Sequence, residues 1–152
     1  MNESDQERAR VTRVLRALWI AFLGAPVIYL AVAFLMLRGR QEGFIAPPAL
    51  RILKPVLAFA GVLLLAGAFF ARRALLARAS ADRTSALLGL QVALLVGWTM
   101  TEAVGVLGLL LVVLGGGLSV ALPFLLVSFG ALVWQGPDGA MLRWREEGRS
   151  TH

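Results

Sequence analysis

Four apolar stretches bounded by basic residues constrain this sequence more than any other feature: Ala17 to Leu37 (21 residues), Pro55 to Ala71 (17), Ala86 to Leu114 (29) and Leu118 to Trp134 (17). At about 1.5 Å per residue, helices of these lengths reach roughly 25 to 43 Å, against a hydrocarbon thickness of about 30 Å. Each can cross a bilayer once. The third is too long for an untilted crossing and too short for two, so it should tilt or project beyond the hydrocarbon. Together the stretches take up 84 of 152 residues, which leaves no run long enough for a separate water-soluble domain. Composition agrees, with 59% hydrophobic residues, 16% charged residues and a mean hydropathy of +0.78. The expectation is an all-α integral membrane protein: an N-terminal segment over 1–16, four antiparallel transmembrane helices over 17–134, and a tail over 135–152.

The connections set the orientation. Only Gly115, Gly116 and Gly117 join the last two stretches, a tight turn with no charge to hold it in the cytoplasm, so that turn is placed outside. The N-terminus, the loop from Arg72 to Ser85 and the C-terminus then fall inside, with eleven Lys and Arg residues, while the loop from Arg38 to Lys54 falls outside with four. That bias follows the positive-inside rule and predicts an inner-membrane protein with both termini cytoplasmic. Ala31-Val32-Ala33 has the form of a signal-peptidase site, but the apolar run continues through Leu37, which favours an uncleaved span. Trp134, and Trp144 between Arg143 and Arg145, are expected to anchor the chain at the interface.

Scarce residue types exclude whole chemistries. There is no Cys, and the single His is His152, so thiol nucleophiles, disulfides and Cys or His metal sites are not expected, nor is any cofactor. No phosphate-binding glycine loop or Ser-His-Asp set is present, and the chain reads as a non-enzyme. The net charge of +6 sits beside the apolar stretches rather than on an independent basic face, which argues for the lipid bilayer and against nucleic acid as partner.

Of nine acidic residues, eight lie in tails or loops, and the ninth, Glu102, lies two residues from the middle of the third stretch, about 3 Å from its centre. An ionised carboxylate at such depth costs several kcal/mol, which favours a neutral, protonated acid that still needs a hydrogen-bond partner. Gln91, Trp98 and Thr99 precede Glu102 at spacings that predict a polar stripe, and Gly97, Thr101 and Gly105 form a small-residue ridge on which another helix can pack closely. Tyr29 in the first span and Ser128 in the fourth lie at a similar depth, so either can pair with Glu102. Pro26 and Pro123 each free a backbone carbonyl one turn earlier and predict kinks that make room for a polar cluster.

Two roles stay open at this point. In one, Glu102 fixes helix packing and partner binding in a small non-enzymatic membrane subunit or accessory protein, with a second copy or another membrane protein as partner. In the other, Glu102 exchanges protons in a translocation component.

The run Thr101-Glu102-Ala103-Val104-Gly105-Val106-Leu107-Gly108-Leu109-Leu110 resembles the ion-carrying helix of the rotor-ring proteolipid, subunit c, of F-type and V-type ATPases. The likeness is confined to this third span. It implies that Glu102 is a proton carrier on a helix that leaves a cytoplasmic polar loop.

Overall fold

A computed structural model describes residues 3–39, 47–81 and 86–137. The described chain is all helical: α1 (Glu3–Gly39), α2 (Pro47–Ala81), α3 (Ala86–Val113) and α4 (Leu118–Trp134). Three of them contain segments long and apolar enough to cross a membrane, Ala9–Gly39, Pro48–Arg78 and Leu88–Val113. With 17 residues, α4 is apolar but shorter, roughly 26 Å.

Helix and apolar stretch do not end together. The expected loop over 72–85 is helical as far as Ala81, and α2 begins at Pro47 rather than near Lys54. The residues Arg72 to Ala81 are mainly Ala, Leu and Arg, which are good helix formers. Their charge does not oppose a helix. Pro47 and Pro48 occupy the first turn of α2, where a missing N–H removes no intrahelical bond, whereas Pro55 lies inside it. Similarly, α1 starts fourteen residues ahead of its apolar stretch, at Glu3.

The glycine turn between α3 and α4 closes as a Schellman motif. Gly116 N–H donates to the Leu111 carbonyl (2.7 Å) and Gly115 N–H to that of Val112 (3.0 Å). Gly115 (φ 96°) and Gly117 (φ 76°) occupy the left-handed region that penalises a side chain.

Helix α3 is the hub, packing against each of the other three, whereas α1 and α2 make almost no direct contact. Burial follows this arrangement: 44% of the apolar window of α3 is buried, against 11% in α1 and in α2. Around the N-terminal half of α3, Leu15, Leu90, Leu94, Trp98 and Leu132 form one core, with Val11, Phe22 and Leu76 against it. A smaller core of Ala33, Val112 and Ala121 lies near its C-terminal end. Large apolar side chains point outward along the rest of α1 and α2, among them Leu35 (66% exposed), Ile52 (70%) and Phe70 (67%).

Candidate functional site

Tyr29 Oη donates a 2.6 Å hydrogen bond to Glu102 Oε1, linking α1 to α3. Both residues are half-buried, on the seam between the two helices. Among the described residues Tyr29 is the hydrogen-bond partner of the carboxyl. The phenol can reach because Gly105, one turn on from Glu102, has no side chain: a Cβ there would lie 3.4 Å from Tyr29 Cδ2 and 3.2 Å from Ser128 Oγ.

Ser128 has a different partner. Its hydroxyl is completely buried and donates to the Thr101 carbonyl at 3.0 Å, fastening α4 to α3. Thr101, also fully buried, donates to the Gly97 carbonyl (2.8 Å) and accepts from Gln135 Nε2 (2.9 Å). The ridge of Gly97, Thr101 and Gly105 is thus occupied within the chain: Gly97 faces Gln135 and the Arg72 side chain, Thr101 faces Ser128 and Gln135, and Gly105 faces Tyr29 and Ser128.

The expected polar stripe does not hold together. Trp98 and Thr99 are 100° apart on the helix and fall on opposite sides of the edge of the buried face. Trp98 is fully buried, while Thr99 is exposed and bonds to the Leu95 carbonyl of its own helix. Gln91 lines a groove beside Arg10, three turns from Glu102.

The indole of Trp98 instead belongs to a second polar cluster, at the end of α4. Its N–H donates to the Gln135 carbonyl (3.1 Å), and Trp19 N–H from α1 donates to the Leu132 carbonyl (2.9 Å). Gln135 N–H bonds to Ala131 and Gly136 N–H to Val133. These four donors satisfy acceptors that a helix C-terminus otherwise leaves open. Phe22 packs on Trp98 with ring centroids 5.9 Å apart. Sequence reasoning missed Trp19 and Gln135; the signal available was an indole one turn into the first span and a polar residue directly after the last apolar run.

Trp134 is 86% exposed at the end of α4. Trp144, and the turn residues from Asp138 onward, lie outside the described residues. Among the described residues no group of three or more His, Cys, Asp or Glu side chains could hold a metal ion.

The chemical capacity of the site is narrow: one carboxyl, and one phenol holding one of its oxygens. It can hold two helices in register, or present a half-buried carboxyl at the seam. Comparison with protein-family models, with curated proteins and with solved structures returns no match.

Proposed function

We propose that the chain is a small non-enzymatic inner-membrane subunit or accessory protein in which the Glu102 carboxyl organises helix packing and partner binding. Four antiparallel spans with both termini cytoplasmic carry this arrangement. The reversed pairing supports that topology: Gly61, Gly67 and Arg72 of α2 lie beside Val104, Met100 and Gly97 of α3, and Ala121 and Ser128 of α4 beside Gly108 and Thr101. Outward-facing apolar side chains on α1 and α2 support a lipid environment.

On this topology the same pairing also bears on the depth of the acid. Toward the C-terminal end of α2 the basic residues begin at Arg72, level with Gly97, and the inner boundary of the hydrocarbon is taken near that level. Glu102 then lies roughly 8 Å from the level of Arg72 and roughly 18 Å from the glycine turn. That is inside the inner leaflet rather than at the centre of the bilayer. The cost of the carboxyl falls accordingly, and a single phenol suffices to hold it.

The observation that carries the reading is the 2.6 Å Tyr29–Glu102 bond between helices that no covalent loop joins directly. The test is a double-mutant cycle of Tyr29→Phe and Glu102→Leu, read as thermal stability in detergent. Packing predicts a coupling of about 1 kcal/mol, within the range measured for interhelical bonds in membranes. A coupling of zero overturns it.

A second reading rests on the half-buried position of Glu102 on the seam between α1 and α3. On that reading Glu102 exchanges protons in a proteolipid-like translocation component, with its counter-charge supplied by another chain. It predicts rapid, pH-dependent modification of Glu102 by a lipid-soluble carbodiimide, and loss of proton uptake by Glu102→Gln vesicles with the fold intact. Inertness to the reagent and unchanged uptake dispose of it.

A further inference from the structure

Between the N-terminal parts of α1 and α3 lies a half-open groove of about 170 Å³. Its walls include Val14, Leu18 and Leu95, and its outer end carries Arg10 and Gln91. Val14 and Leu18 are exposed, at 53% and 37%. The side chains of Arg10 and Gln91 have no partner among the described residues. Leu18 adjoins Trp19, whose indole bonds α4 where that helix ends, and Arg10 lies two turns further out, roughly 12 Å along α1.

Polarity in this groove runs in a fixed order. Nearest the hydrocarbon it is branched and aliphatic; one to two turns beyond, across a headgroup layer of about 5 to 8 Å, it offers a guanidinium and an amide. A glycerophospholipid has the same sequence of parts, acyl chains first and a phosphate beyond them. A guanidinium matches a phosphate by charge and by its fork of donors. Gln91 adds a donor for a headgroup hydroxyl or ester oxygen. A second protein helix would leave Arg10 without its anion.

We propose that the Arg10–Gln91 groove is a binding site for one anionic phospholipid of the inner leaflet, with its phosphate on Arg10 and an acyl chain along Val14, Leu18 and Leu95. The site rests on the membrane placement argued above and is independent of any role for Glu102. Arg13 supplies the internal control: it is a neighbouring exposed arginine whose Nε is bonded to the Ala9 carbonyl of its own helix, and it does not line the groove.

The experiment is native mass spectrometry of the full chain in detergent, with phosphatidylglycerol and phosphatidylcholine supplied in equal amounts. The expected result is one retained phosphatidylglycerol per chain, favoured roughly fivefold over phosphatidylcholine, as one arginine near a membrane surface provides. Arg10→Gln removes that preference, Arg13→Gln keeps it, and Leu18→Trp, which fills the groove, removes retention of both lipids. Equal losses from Arg10→Gln and Arg13→Gln, or no loss from either, overturn the site and leave the membrane placement standing. Release of the chain from membranes by alkaline carbonate overturns both.

Discussion

Replacing Gly108 by alanine tests the α3–α4 contact in its simplest form. A Cβ at Gly108 would lie 2.8 Å from Phe124 Cβ, 3.0 Å from the Ala121 carbonyl oxygen and 3.7 Å from Leu125 Cγ. Carbon atoms pack best at about 3.5 to 4.0 Å, so α4 must retreat by several tenths of an ångström. Two of the three contacts are backbone or Cβ atoms, which no rotamer change can move. Forcing an extra carbon into such a contact costs about 1 to 3 kcal/mol. Alanine also gains up to about 1 kcal/mol over glycine as a helix former, which would mask part of the loss. Gly130, on α4, removes that ambiguity, since a Cβ there meets nothing within 4 Å. Gly130→Ala takes the propensity gain alone, so the difference between the two variants isolates packing. At roughly 2 to 4 °C per kcal/mol for a chain of this size, Gly108→Ala should melt about 2 to 12 °C below Gly130→Ala. Circular dichroism of the purified proteins in one detergent measures it. Coincident midpoints would refute the close approach of the two helices.

Trp98→Phe keeps the ring and deletes the donor to the Gln135 carbonyl, and should destabilise by about 1 to 3 kcal/mol in the same melting assay. Trp19→Phe should behave alike through Leu132, whereas Trp134→Phe, at an 86% exposed position, should leave the midpoint unchanged. Gly117→Ala places a Cβ at φ 76° and should cost about 1 to 2 kcal/mol, while Gly24→Ala, in open space within α1, should not lower the midpoint.

The apolar stretches located all four helices, because burial in lipid or in a core is written as composition along the chain. Helix ends were another matter. Composition changes at Arg72, but the backbone has no reason to stop helical hydrogen bonding there, and α2 runs on to Ala81. The sequence offered Tyr29 and Ser128 as alternative partners of Glu102 and could not choose between them. Tyr29 and Ser128 lie at similar levels on two helices, and only the rotation of each helix about its axis gives Tyr29 to Glu102 and Ser128 to the Thr101 carbonyl. Trp98 was read as one of several polar residues on a single face, yet its partner lies 37 residues away, at a carbonyl that is an acceptor only because α4 stops there. Such acceptors belong to the ends of elements and have no residue type to announce them.

The near absence of contact between α1 and α2 bears on how the chain is made. Synthesis delivers these two segments first, and neither finds its companion in the other. The lasting contacts of the first segment, at Leu132 and Glu102, lie on the third and fourth helices, so it has to wait for the second half of the chain before it can dock. A chain cut before residue 86 lacks every one of those partners.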